Sequence, residues 1–353
     1  VGFSRYTLEL LLSSNSDGHD ALLSMGKPFY SLQTRSSESL ALSDSDSLIR
    51  RYELGEELGG YQARLQHATL MAGRSAGLVS GWTKRTSIGV QFDRARFAVD
   101  PLSPNIGALP ENRDFRYPFI QWEILQDDFK TTSNQDQIGR TEDEAFGQRY
   151  LIRTGYAASF FGNDSAASFV KFEASDGYRV NSAQSIFVKS EFQSQFGGGT
   201  NRNQLLKAEL RYFWRQNAYN TSYVSLSGSA GTQLNLDQEV FLGGDSGLRA
   251  YPLRFQTGSR SALLTLEQRH FTDYKPLQLF SVGAAIFADI GRVWGTDAAG
   301  GTRLGTLRDV GFGLRLGNLR SARANMLHLD VSWPLDNPLD SGAQFSVETR
   351  TRF

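Results

Sequence analysis

The chain of 353 residues contains no cysteine. That excludes disulfides and thiolate chemistry, and it fits an exported protein. No apolar run approaches the roughly 20 residues that a membrane-spanning helix needs. A helical membrane protein is therefore excluded, but a barrel is not, because its strands hide their apolar residues by alternation. Charge of one sign is not in excess: Lys+Arg and Asp+Glu are both 37. No global field attracts nucleic acid, and no nucleic-acid partner is expected. Histidine is scarce, and His19, His67, His270 and His328 show no metal-ligand spacing. No G-x-S-x-G elbow occurs, and neither GFGLRLG nor GGDSG joins a strand to a helix as a phosphate loop does. No catalytic residue, cofactor or metal is expected, and the chain reads as a non-enzyme. The opening VGFSRYTLELLLSS lacks the basic start, apolar core and cleavage site of a signal peptide. The expectation is that any export signal has been removed.

What is present is glycine, aromatics and alternation. Gly 35, Tyr 13, Phe 24 and Trp 5 suit many strands joined by turns. Segments of period two recur near 3–13, 20–30, 34–46, 60–72, 84–98, 113–126, 149–160, 165–176, 184–195, 203–215 and 219–230. They resume near 261–271, 280–291, 308–317, 324–333 and 343–353. No helix-period segment appears. Sixteen is an even count, which lets the first and last strands meet antiparallel. The pattern predicts an all-β chain, a sixteen-stranded antiparallel transmembrane β-barrel over residues 1–353. The stretch 47–59 is the weakest segment, and IRRYELGEE there extends the third strand above the membrane. The connection 127–148 is too long for a usual turn.

Faces follow from alternation. In the fifth segment Thr86, Ile88, Val90 and Phe92 oppose Ser87, Gly89, Gln91 and Asp93. In the tenth, Leu206, Ala208, Leu210, Tyr212 and Trp214 oppose Lys207, Glu209, Arg211 and Phe213. In the fifteenth, Leu327, Leu329, Val331 and Trp333 oppose His328, Asp330 and Ser332. The last nine residues, FSVETRTRF, set Phe345, Val347, Thr349, Thr351 and Phe353 against Ser346, Glu348, Arg350 and Arg352. Each first set suits lipid and each second set suits a wet lumen. A β-sandwich gives the same alternation, but inward charge in strand after strand favours the barrel. The terminal strand also has the form of an outer-membrane sorting signal, and it is the expected partner of the first strand at a seam.

The longest insertion, 231–260, holds FLGGDSGLRAYPLRF. Gly243, Gly244 and Gly247 permit tight turns, and Arg249 and Tyr251 fall near the tip. In AAIFADIGRVW, residues 284–294, Phe287, Asp289 and Gly291 share the inward face. In LTLEQRH, Glu267 faces inward as well. A loop folded into the lumen would set Arg249 beside Asp289 and Glu267, with Gly291 leaving room. The alternative at this point is an unrelated arginine and two lumen carboxylates among many.

GGDSGLRAYP resembles the Arg-Gly-Phe/Tyr loop of the BamA/TamA superfamily of outer-membrane assembly and translocation proteins. In that family the sixth extracellular loop enters the barrel. Its arginine meets a Phe-x-Asp-x-Gly motif on strand 13 and a glutamate on strand 12. FADIG at 287–291 and Glu267 match those positions. DVGFGLRL, LHLDVSWPL and FSVETRTRF resemble the last three strands, and KPFYSLQTR and DQIGRTED are similar to segments of such proteins. The usual glycine after the arginine is Ala250 here. The family carries periplasmic domains before its barrel, so this chain is expected to be the barrel portion.

The resemblance implies an outer-membrane protein of a Gram-negative bacterium that inserts or assembles clients through a seam between the first and last strands. Its partners would be membrane lipids, client outer-membrane or secreted proteins, and periplasmic or lipoprotein factors. The alternative is a polypeptide translocation pore of the two-partner-secretion or fused-passenger type. A small-solute porin lined by Glu209, Arg211, Arg315, Glu348, Arg350 and Arg352 is the third reading.

Overall fold

The computed structural model describes residues 5–102, 107–135, 137–163, 165–197, 203–295, 304–320, 325–336 and 342–351. Sixteen strands form one antiparallel sheet in chain order. They are β1 Thr7–Asn15, β2 Gly18–Lys27, β3 Ser36–Glu53, β4 Glu56–Val79, β5 Trp82–Val99, β6 Arg113–Gln126, β7 Arg149–Ala157 and β8 Ala167–Asn181. They continue as β9 Gln184–Gly197, β10 Gln204–Arg215, β11 Asn220–Thr232, β12 Arg260–Phe271, β13 Phe280–Trp294, β14 Thr306–Asn318, β15 Asn325–Pro334 and β16 Gln344–Thr351. Count and order agree with the period-two segments. Odd strands run toward the end that carries the 233–259 loop, here the loop end. Even strands run toward the turn end.

The faces also agree. Ile88 and Val90 are 63% and 54% exposed on the outside, whereas Ser87 is buried inside. Leu206, Leu210 and Trp214 face out, and Phe213 is buried in the lumen. His328, Asp330 and Ser332 are buried inward while Trp333 faces out. Phe345 and Val347 are exposed on the outer face of β16. Phe353 and Arg352 lie outside the described residues, as do the side chains of Arg350 and Thr351.

Three features go beyond the sequence pattern. First, β3 and β4 are far longer than the 34–46 and 60–72 segments. They meet at a two-residue turn, Leu54–Gly55, where both φ angles are positive (51° and 88°). That is the backbone of a tight hairpin matched to strand twist. The stretch 47–59 is thus the upper part of this hairpin, which extends β3 as the sequence suggested. Its alternation fades because above the lipid the outer face need not be apolar.

Second, 127–148 is no overlong turn. Phe129–Ser133 and Thr141–Ala145 pair as a hairpin that enters the lumen from the turn end. Ile138 packs with Phe271 and Met326, and Phe146 packs with Phe187, Phe213 and Tyr223. Arg140 donates to the Leu319 carbonyl at 2.8 Å and Asn134 to that of Ala218 at 3.0 Å. Both carbonyls belong to turn-end connections.

Third, β1 and β16 are each hydrogen-bonded to one neighbour and not to each other among the described residues. Among the described residues the barrel therefore has an open seam. Every residue of β1 is exposed, on both faces.

Candidate functional site

The loop between β11 and β12 begins and ends as a short hairpin, Val240–Leu242 with Gln256–Gly258. Its tip folds into the lumen because it carries its own apolar core. Leu242, Leu248, Ala250, Tyr251 and Phe255 pack on Val293 of β13 and Leu307 of β14. Leu54, at the tip of the long hairpin, packs on the same cluster, and its N–H donates to the Phe255 carbonyl at 3.1 Å. The hairpin therefore caps the loop. A Cβ on Gly243 would stand 2.3 Å from the Pro252 carbonyl oxygen, so the tip closes this tightly only with glycine there. The neighbouring Gly244 N–H donates to the same oxygen at 3.0 Å. A Cβ on Gly291 would meet Leu242 at 2.9 Å and Leu248 at 3.3 Å, so the barrel wall is thinned where the loop lies on it.

Arg249 reaches from this tip into a buried charge cluster. Its Nε donates to Asp289 Oδ2 at 2.9 Å and its Nη2 to Asp289 Oδ1 at 3.4 Å. Nη1 donates to Asp330 Oδ2 at 3.1 Å, and both terminal nitrogens lie 3.4 Å from Glu267 Oε2. The guanidinium also sits over the Phe287 ring, 3.4 Å from its centroid. Phe287, Asp289 and Glu267 thus surround one arginine, and all are nearly solvent-free. Tyr251 points elsewhere: its hydroxyl donates to the Arg308 carbonyl at 3.0 Å, and its ring packs on Phe255. Ala250 adds a methyl to the apolar core, and its N–H donates to Asp309 Oδ2 at 3.1 Å.

Four further residues belong to the cluster and were not singled out as part of it by sequence. Arg315 on β14, assigned to a wet pore lining on the porin reading, is fully buried instead. It pairs with Asp330 Oδ1 and approaches Glu267 Oε1 at 3.4 Å. Arg269 donates from Nε to Glu267 Oε1 at 2.9 Å and from Nη1 to the Gln135 carbonyl of the lumen hairpin at 2.7 Å. Asp309 stands opposite Asp289 in the β13–β14 ladder. The inward parity of Arg269, Arg315, Asp309 and Asp330 was legible. Their depth was not, since the same parity serves a wet wall and a dry cluster.

Buried charges cost several kcal/mol each unless paired, and here each guanidinium meets a carboxylate. Glu267 is the hub. It joins Arg249 on the loop to Arg269, and Arg269 holds the turn-end hairpin. The arrangement can fasten two inserted segments at once.

The carboxyls outnumber the guanidiniums by Asp309, which stands beside Asp289. Asp309→Asn keeps an acceptor for the Ala250 N–H and removes a second buried carboxyl that competes with Asp289 for ionisation. It is expected to leave thermal unfolding in detergent unchanged or raised. Asp289→Asn strips the bidentate partner of Arg249 and is expected to lower stability by about 3–5 kcal/mol. The reverse ranking would show that Asp289 is not the principal partner.

Among the described residues, no group of three or more His, Asp or Glu side chains is placed to hold a metal ion.

No protein-family model matches the chain, and no curated protein sequence matches it. Among solved structures it is similar to BamA from Haemophilus ducreyi lacking POTRA domains 1–3. The TM-score is 0.52 at 12% identity, with 99% of this chain and 65% of that chain covered. It is also aligned with CdiB from Acinetobacter baumannii at TM-score 0.47 and 12% identity, covering 99% of this chain and 60% of that one. The likeness to the first is one of fold, and this chain spans 65% of the length of that truncated chain.

Proposed function

We propose that this chain is an outer-membrane barrel of a Gram-negative bacterium that inserts or assembles client proteins through the seam between β1 and β16. The observation that carries the reading is that, among the described residues, β1 and β16 are not paired with each other, while segments enter the lumen from both ends. A free strand edge offers a row of backbone donors and acceptors that can template an incoming strand. In lipid those groups must find partners, so an edge opens only where something replaces its neighbour. β1 has nine residues. At ~3.3 Å per residue and a tilt of ~40°, such a strand spans about 23 Å along the membrane normal, slightly under the ~25 Å apolar band of outer-membrane barrels. A short wall thins the nearby bilayer and lowers the cost of admitting a strand. Two segments inserted into the lumen narrow it, which favours a route at the seam over free solute passage.

The test is a disulfide across the seam. Cysteines replace Leu10 on β1 and Val347 on β16, with adjacent positions scanned for register. Background thiols are absent from the chain. The reconstituted barrel is given an unfolded small outer-membrane protein as client. Oxidation is expected to stop client insertion and reductant to restore it. Insertion at the unlocked rate by a fully crosslinked barrel would eliminate the seam mechanism. A polypeptide that still crosses the locked barrel would favour a translocation pore.

A further inference from the structure

The outer faces of β3 to β6 line up in rows. Leu40, Leu70, Val90 and Pro118 share one row. The next row toward the loop end holds Ala68, Phe92 and Arg116, and the next holds Gln66, Arg94 and Asp114. Arg64 and Arg96 follow. The apolar belt therefore ends at Phe92, with Arg116 beside it in the same row and Arg94 one pleat higher.

Three of these arginines share one carboxylate. Asp114 Oδ2 lies 3.1 Å from Arg94, 3.3 Å from Arg96 and 3.6 Å from Arg116. The Arg94 and Arg116 guanidiniums stand 5.2 Å and 5.6 Å from the Phe92 ring centroid. Their side chains are 37% and 43% exposed, and Arg96 is 44% exposed. The nearby Arg64 has its own partner in Asp44 at 2.9 Å. The triad is thus left with two positive charges beyond its one acid. Soluble surfaces tolerate such an excess in water. Here it faces outward along the rim of an apolar belt, where lipid headgroups stand.

We propose that Arg94, Arg96 and Arg116 bind the phosphate groups of anionic lipids in the leaflet at the loop end. The inference rests on the membrane reading above. Guanidinium forks match phosphate oxygens. Arg96 spends Nη1 on the Ala95 and Arg113 carbonyls and Arg116 spends Nη1 on that of Gly162, and all three side chains stay more than a third exposed. Cations near a membrane surface contribute about 1 kcal/mol each to anionic-lipid binding. The belt below receives the acyl chains of the same lipid, which a free anion lacks.

The test uses the whole chain, delipidated in a nonionic detergent and offered a bisphosphorylated glycolipid or phosphatidylcholine. Bound lipid is counted by native mass spectrometry. The glycolipid is expected to be retained over phosphatidylcholine. Arg94→Ser combined with Arg116→Ser is expected to weaken its retention about thirtyfold. Asp114→Asn, which removes the competing acid, is expected to strengthen it, a gain that mere structural damage does not produce. If the double variant fails to fold, Asp114→Asn alone decides. Unchanged retention in the folded double variant, or no gain with Asp114→Asn, overturns the proposal. Displacement of the glycolipid by inorganic phosphate at matched ionic strength overturns the assignment to a lipid. A chain that enters phosphatidylcholine vesicles yet shows no preference sinks this site alone. A chain that enters no vesicle sinks the membrane reading.

Discussion

Arg249→Ala is expected to release the loop from the lumen and to lower stability by about 3–5 kcal/mol, the usual cost of removing one partner from a buried ion pair. The carboxylates it leaves are not stranded equally. Asp330 keeps Arg315, and Glu267 keeps Arg269 and Arg315. Asp289 loses both of its guanidinium contacts. Most of the penalty should therefore reside in Asp289, and Arg249→Ala with Asp289→Asn should be more stable than Arg249→Ala alone. Such non-additivity is the signature of direct contact. Arg249→Lys keeps the charge but loses the fork to Asp289 and should fall between. Trypsin cleavage after Arg254 in the loop reports its release, and thermal unfolding in detergent reports the energy. If both stay at the wild-type level, the cluster does not fasten the loop.

Glu267→Gln is expected to act at both ends of the lumen. Its carboxylate faces Arg249 and Arg269, and Arg315 approaches it at 3.4 Å. The amide is nearly the same shape and carries no charge, so three buried guanidiniums lose their common partner at once. A cost of at least about 3–5 kcal/mol is expected, as for one broken buried pair. The distinguishing readout is location. Arg269 also holds the Gln135 carbonyl, so the 127–148 hairpin should loosen together with the loop. Proteolysis after Lys130 or Arg140 reports the hairpin, and proteolysis after Arg254 reports the loop. A variant that frees the loop while the hairpin stays protected would show that the two are held independently.

Much of this was legible before any fold was known, because a strand has a fixed period. Ile88 and Val90 against Ser87 and Gln91, or Leu329 and Val331 against Asp330 and Ser332, state their faces in the order of residues alone. Sixteen such segments give the strand count. The motif GGDSGLRAYP with FADIG and Glu267 named the arginine and two of its partners. What alternation does not encode is height along the barrel or the company a side chain keeps. Arg315 has the parity of a wet pore wall, yet it is buried against Glu267 and Asp330.

The hairpin at 127–148 was illegible for a related reason. Its strands have five residues each, too short for a periodic signal, and their order comes from packing Ile138 and Phe146 into the lumen. The length of β3 and β4 was hidden because above the lipid Asp44 and Arg64 replace apolar residues on the outer face. The sequence by itself determined which side of the wall each residue occupies. Only the tertiary structure decided how deep each charge lies and what it touches, since those depend on segments distant in the chain arriving at the same place.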